Sequence, residues 1–159
     1  MRVLIVDDEE LIRTVIKEYC ENENYEIDEA ATGKEAINKL NESNYDLMIL
    51  DIMMPEMDGF TMLKECPKSK KIPTIILSAR SEEYDKLSGF DLGIDDYMTK
   101  PFSPKELVAR IKAVINRTSK KIKESYTYKT LSINLAYHTV KIGDKIINLT
   151  PKEFDILVY

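Results

Sequence analysis

Leu47-Met48-Ile49-Leu50-Asp51 decides the fold: four apolar residues in succession, closed by a carboxylate, with Pro55 shortly after. A run of this length without alternation fits a strand covered on both faces, as in a parallel sheet with helices above and below. Toward the N-terminus, Val3-Leu4-Ile5-Val6 is a second such run, too short and too branched for a helix, and it ends on Asp7-Asp8. Between the two, Leu11, Ile12, Val15, Ile16 and Tyr19 fall at helical spacing from Glu9 to about Glu23. Tyr25 to Ala30 then reads as a strand ending near Thr32-Gly33, and Glu35 to Leu40 as a helix with Ala36, Ile37 and Leu40 on one face. Beyond Asp51, the pattern predicts a short helix from Phe60 to Cys66, closed by Pro67 and the basic stretch 68–71. A fourth strand follows at Pro73 to Leu77, a weakly amphipathic helix at Glu82 to Leu92, and a short fifth strand at Asp95 to Met98. The helix from Pro104 to Arg117 carries Leu107, Val108, Ile111, Val114 and Ile115 as its stripe.

Five strand–helix alternations predict an α/β domain over residues 1–117. Right-handed crossovers leave few topologies, and the simplest is a flavodoxin-like, doubly wound five-stranded parallel sheet in the order 2-1-3-4-5. The stretch 118–125 is polar, lysine-rich and without period, so it is expected to be a linker. After it, in residues 126–159, Leu131-Ser132-Ile133-Asn134-Leu135 and Val140-Lys141-Ile142 alternate apolar and polar residues. Gly143-Asp144 then turns into Lys145 to Leu149, which predicts a small antiparallel sheet with one wet face. Thr150-Pro151-Lys152-Glu153 is a helix start: a Thr cap, Pro at the first helical position and Glu at the third.

The 159 residues carry a net charge of −5, spread unevenly. Residues 1–117 hold 16 basic against 24 acidic side chains, and residues 118–159 hold 7 against 4. An acidic segment followed by a basic one suggests two units with different partners. No stretch of about 18 apolar residues exists, so no membrane partner or span is expected. With two cysteines, Cys20 and Cys66, and no secretory signal, a disulfide scaffold is excluded and a cytoplasmic location is favoured.

In open α/β sheets ligands bind beyond the carboxyl ends of the strands. There the first strand delivers Asp7 and Asp8, the third Asp51, the fourth Ser78, and the fifth is followed by Lys100. Each aspartate alone is explained by helix capping or a turn, but the set is not. Two unit charges about 4 Å apart near a surface repel by roughly 4 kcal/mol, so three gathered carboxylates require a cation or raised pKa values. Carboxylates without His or Cys suit Mg²⁺ better than zinc. A divalent cation, a carboxylate, Lys100 and Ser78 together describe a phosphoryl site, with Asp51 able to form an acyl phosphate. Lys100-Pro101, with a cis peptide, is expected to aim the lysine back at the strand ends.

Asp7-Asp8, Leu50-Asp51-Ile52-Met53-Met54-Pro55-Glu56-Met57-Asp58-Gly59, Ser78-Ala79-Arg80 and Asp95-Asp96-Tyr97-Met98-Thr99-Lys100-Pro101-Phe102 stand in this order across residues 1–117. They resemble receiver domains of two-component response regulators. Gly143-Asp144 between strand patterns and Leu149-Thr150-Pro151-Lys152-Glu153-Phe154 resembles the opening of the winged-helix effector of the OmpR/PhoB family. The first resemblance implies a CheY-like fold in which Asp51 accepts phosphate from a sensor histidine kinase. It implies that Asp7, Asp8, Asp51 and the backbone carbonyl of Met53 bind Mg²⁺, and that Ser78 and Tyr97 form a switch pair. It further implies a homodimer on phosphorylation, in which Lys86–Glu106, Asp91–Lys112 and Asp96–Arg110 pair between protomers. Glu106 and Arg110 are four residues apart and also fit a pair within one helix.

The family's DNA-reading helix lies outside these 159 residues, so promoter binding is expected only of a longer form. Two other readings compete. An aspartate-nucleophile phosphatase would carry a general acid two residues after the nucleophile, where Met53 stands, so an enzyme is not expected. A stand-alone receiver that relays or drains phosphate without DNA is the remaining alternative.

Overall fold

The computed structural model describes residues 1–67, 72–79, 93–123, 125–135 and 139–158. The helix expected at 82–92, the basic stretch 68–71, Arg80, Lys86, Asp91 and His138 lie outside the described residues. The chain divides into two compact units, Met1–Ile115 and Asn116–Tyr159.

In the first unit, β1 (Arg2–Val6), β2 (Glu26–Ala30), β3 (Leu47–Asp51), β4 (Thr74–Ser78) and β5 (Asp96–Thr99) form one sheet in the order β2-β1-β3-β4-β5. All four pairings are parallel, as expected. Helices α1 (Glu10–Glu21), α2 (Gly33–Glu42), α3 (Gly59–Glu65) and α4 (Pro104–Lys123) accompany it. Successive side chains of a strand face opposite ways, and the core divides accordingly. Leu4, Val6, Met48, Leu50 and Ile76 pack with Ala36 and Leu40 of α2 and Met62 of α3. Val3, Ile5, Leu47, Ile49, Ile75 and Leu77 pack with Ile16 of α1 and Leu107, Ile111 and Val114 of α4. β3 is buried at every position, which is why its sequence does not alternate. Each fully buried Leu or Ile contributes about 1.5–3 kcal/mol, against about 1 kcal/mol for a helix cap. The two sheet faces therefore outweigh the helix ends in holding this unit together.

The caps set where helices begin. Thr32 Oγ1 accepts from the Glu35 N–H at 3.2 Å while Glu35 Oε2 accepts from the Ala31 N–H at 2.9 Å. Asp58 caps α3, accepting from the Thr61 N–H at 3.0 Å and the Thr61 hydroxyl at 2.8 Å.

The edge strand β2 is fastened by a polar cluster. Asp28 accepts from Arg2 Nη2 and from the Tyr45 hydroxyl at 2.8 Å, and the Arg2 guanidinium lies 5.0 Å from the Tyr45 ring centre. Burial alone would raise the Asp28 carboxyl, but the hydrogen bonds from Tyr45 and Arg2, aided by the Arg2 charge, hold it below its ordinary value. A carboxylate with a depressed folded-state pKa adds stability that is present above its unfolded pKa, near 4, and lost as pH falls through the folded value. The stability gap between wild type and Asp28→Asn should therefore narrow from about pH 5 to about pH 3. Urea midpoints at the two pH values test this; a constant gap would remove the pair from the acid response.

α4 runs to Lys123, through most of the stretch expected to be a linker. The lysines that looked like linker composition are good helix formers, and extending an existing helix avoids the cost of nucleation. Basic residues at a helix C-terminus are also favoured by the helix dipole.

In the second unit, β6 (Ser125–Tyr128), β7 (Leu131–Asn134), β8 (Thr139–Ile142) and β9 (Lys145–Ile147) form an antiparallel sheet in sequence order, followed by α5 (Pro151–Val158). The expected sheet is present, with β6 as an additional strand. Its register puts Tyr126, Ile133, Val140 and Ile147 in one row and Tyr128, Leu131 and Ile142 in the next, on the same face. Gly143 takes a φ of 60° in the β8–β9 turn, a conformation glycine adopts without steric cost. The capping box closes as expected, with the Thr150 N–H donating to Glu153 Oε2 at 2.8 Å. Val140 and Phe154 are buried, whereas Tyr126, Tyr128 and Ile142 are exposed.

Candidate functional site

Because β1, β3 and β5 are parallel, their carboxyl ends come level, and each ends in a charge. Asp7 follows β1, Asp51 closes β3 and Lys100 follows β5. Asp7 and Asp51 are 1% and 3% exposed, and the Lys100 side chain is 12% exposed. The Lys100 Nζ donates to Asp7 Oδ2 and to Asp51 Oδ2, both at 2.8 Å, and to Glu9 Oε1 at 3.2 Å. Lys100-Pro101 is cis. Carboxylate oxygens of Asp7, Asp8 and Asp51 lie within 4.8 Å of one another, with Asp8 exposed. Among the described residues no His or Cys joins the cluster, and such a carboxylate set fits a hard divalent cation.

The electrostatics follow from this crowding. Burial raises the Asp7 carboxyl above its ordinary value, against hydrogen bonds from Lys100 and from the Glu9 N–H. Burial would lower the Lys100 ammonium, but its hydrogen bonds to Asp51 and Asp7 outweigh that and raise it, so it stays charged. A single ammonium thus answers two nearly buried carboxylates.

The loop after β3 is shaped around Asp51. Its Oδ1 accepts from the Met53 N–H at 3.0 Å, which leaves Oδ2 to Lys100. The chain returns through Glu56, at a φ of 65°, to Gly59, whose N–H donates to the Ile52 carbonyl at 2.9 Å. A Cβ on Gly59 would lie 2.5 Å from the Asp51 carbonyl oxygen and 3.0 Å from the Ile52 Cα. Both neighbours are backbone and cannot swing aside, so Gly59→Ala should cost about 1–3 kcal/mol. Urea unfolding measures that cost; a loss below about 0.5 kcal/mol would show that the strand end yields freely.

Residues 3–112 match the response regulator receiver domain. The chain belongs to that family. The receiver's acidic pocket is the Asp7, Asp8 and Asp51 cluster. The transcriptional regulatory protein SrrA of Staphylococcus aureus is 42% identical over 165 aligned residues, covering 99% of this chain and 68% of SrrA. A solved Francisella response regulator receiver domain is 41% identical with a TM-score of 0.69, covering 74% of this chain and 98% of that one. The Thermotoga maritima response regulator DrrB, an OmpR/PhoB homolog, is 30% identical with a TM-score of 0.66, covering 99% of this chain and 70% of DrrB. The likeness to SrrA and DrrB therefore runs through the β6–α5 unit as well as the receiver. Among the described residues, no helix is long and apolar enough to cross a membrane.

Within the receiver, Ser78 closes β4, fully buried, and its carbonyl accepts from the Lys100 N–H at 2.8 Å. Tyr97 stands on β5, partly buried against the layer that holds Leu4 and Val6. Met53, two residues after Asp51, is 49% exposed. Arg110 pairs within the chain: its Nη1 donates to both Asp96 oxygens at 3.0 and 2.9 Å, and its Nε to Glu106 at 3.0 Å. Lys112 pairs with Glu23 at 2.6 Å. Asp96–Arg110 is one of the pairs implied between protomers and is made here within one chain, while Glu106 and Lys112 meet other partners and the implied Lys86 and Asp91 lie outside the described residues. Sequence reading missed two residues that touch the site. Glu9 reaches Lys100, and only its adjacency to Asp7-Asp8 signals it. Arg13, the other, donates from Nη1 to the Asp7 carbonyl at 2.8 Å and the Asp8 carbonyl at 3.2 Å.

Proposed function

We propose that this receiver takes a phosphoryl group onto Asp51 from the phosphohistidine of a sensor histidine kinase in the cytoplasm, and passes the change to a DNA-binding output. One observation carries the reading: Lys100 spans Asp7 and Asp51 at the ends of parallel strands, so the acceptor carboxylate sits beside a fixed cation. An Asp51 oxygen attacks phosphorus; the O–P bond forms, the P–N bond breaks, and the imidazole leaves with the electron pair and takes up a proton. Lys100 faces the oxygen charge on the transferred group, and the Ser78 hydroxyl donates to it. Asp7, Asp8, Asp51 and the Met53 carbonyl would hold Mg²⁺, which would supply further neutralisation of that charge.

Phosphorylation biases two arrangements of Ser78 and Tyr97: as Ser78 turns to the phosphoryl group, Tyr97 moves into the vacated space. The β5–α4 face, with Asp96, Glu106, Arg110 and Lys112, then meets a second copy. Exposed pairs contribute about 0–1 kcal/mol each, so exchanging internal for inter-protomer pairs sets register at little cost. Output at promoter DNA is supported by the likeness to SrrA, a transcriptional regulatory protein, which spans 99% of this chain. That likeness through the second unit weighs against a stand-alone relay.

The test is direct. Acetyl phosphate should add one phosphoryl group, seen by intact-mass measurement, when Mg²⁺ is present and none when it is chelated. Absence of an adduct under both conditions would refute the reading.

A further inference from the structure

Arg13 is an unusual choice for its position. It stands in the fourth position of α1, where a cation works against the positive end of the helix dipole. Its side chain is only 14% exposed. Helical side chains lean toward the N-terminus of their helix, which carries this guanidinium back over the β1–α1 loop. There Nη1 meets two successive carbonyls, those of Asp7 at 2.8 Å and Asp8 at 3.2 Å. On its other side, Nε lies 3.4 Å from Glu29 Oε1 of β2, yet makes no hydrogen bond there. The group is thus positioned for the loop carbonyls, with Glu29 as a charge partner behind it.

What those carbonyls support is the acidic pocket. The Asp7 carboxylate is fixed directly, by the Glu9 N–H on Oδ1 and Lys100 on Oδ2. The Asp8 carboxylate is different: among the described residues no hydrogen bond or ion pair of the side chain holds it. Its place follows that of its backbone, and Arg13 grips that backbone on both sides of the Asp8 α-carbon. Three mutually repelling carboxylates would otherwise turn this exposed one away from the other two.

We infer that Arg13 is a positioning residue of the cation site: by clamping the Asp7 and Asp8 carbonyls it holds the exposed Asp8 carboxylate beside Asp7 and Asp51. The inference rests on the reading of these three aspartates as a cation site. Residues that orient metal ligands change metal affinity by about 10–100-fold when removed. Glu29 keeps Lys17 as an ion-pair partner at 3.1 Å, so loss of Arg13 leaves no uncompensated charge on β2.

Titration calorimetry of the 159-residue chain with MgCl₂ alone tests this, using wild type, Arg13→Ala and Arg13→Met. The methionine keeps the packed stem and removes the donors, and it decides the matter should the alanine variant fail to fold. Both folded variants should bind Mg²⁺ about tenfold or more weakly, with urea midpoints in chelator changed far less than affinity. A folded variant binding Mg²⁺ within about twofold of wild type would overturn the clamp. Wild type that binds no Mg²⁺ would instead remove the cation site itself, and the inference with it.

Discussion

Asp51→Asn is expected to abolish the phosphoryl adduct formed with acetyl phosphate and Mg²⁺, while the far-ultraviolet circular dichroism stays that of wild type. The amide matches the carboxylate in shape, so the Met53 N–H keeps its acceptor at the end of β3. What is lost is the anionic oxygen that, on the proposed function, attacks phosphorus. Neither neighbour can substitute. Asp7 is saturated by Lys100 and the Glu9 N–H. Asp8 lies exposed at the rim, without the lysine that faces Asp51. Full labelling of the variant, read by intact mass and peptide mapping, would reassign the acceptor. Removing one of three clustered negative charges also relieves a repulsion of roughly 4 kcal/mol per close pair, which offsets the lost pairing with Lys100. A folded but unlabelled variant is therefore the expected outcome.

Lys100→Met has the second large effect, and it falls on stability. From position alone, Lys100 reads as a contact to the phosphoryl group whose loss leaves cation affinity nearly intact and uncouples phosphorylation from dimerisation. The geometry changes that expectation, because its ammonium bonds two of the three carboxylates that would hold the cation. Breaking a buried pair by removing one partner costs about 3–5 kcal/mol, a large share of the 5–15 kcal/mol typical of a folded domain. In chelator the urea midpoint of Lys100→Met should fall sharply. Excess MgCl₂ should restore more of it than the same salt adds to wild type, since the cation no longer competes with the ammonium for Asp7 and Asp51. Equal effects of Mg²⁺ on the two proteins would show that lysine and cation occupy separate ground.

These outcomes bear on what a sequence discloses. The apolar runs at Val3–Val6 and Leu47–Leu50 fixed strand type, because burial on both faces removes alternation and leaves a signature in composition. Carboxylates at the ends of such runs had to converge, since parallel strands finish on one side. The helical form of 118–123 was not legible for a physical reason: lysine-rich composition fits a helix end as well as an irregular linker, and only the preceding helix decides between them. β6 escaped because Ser125–Tyr128 has no long apolar run of its own and is specified by pairing with β7. Arg13 and Gly59 were silent for another reason. The guanidinium acts on main-chain carbonyls and the glycine through an absent Cβ, and neither kind of contact leaves a pattern of side-chain types.

Asp7, Asp51 and Lys100 are contributed by chain positions separated by 44 and 49 residues, yet their charged atoms meet within hydrogen-bonding reach. No local fragment can reproduce that meeting, and a nascent or collapsed chain presents only scattered ions. On the proposed function, reactivity toward a phosphodonor is therefore a census of correctly wound molecules. Whatever listens downstream hears from finished copies alone, and a damaged one falls mute instead of signalling in error.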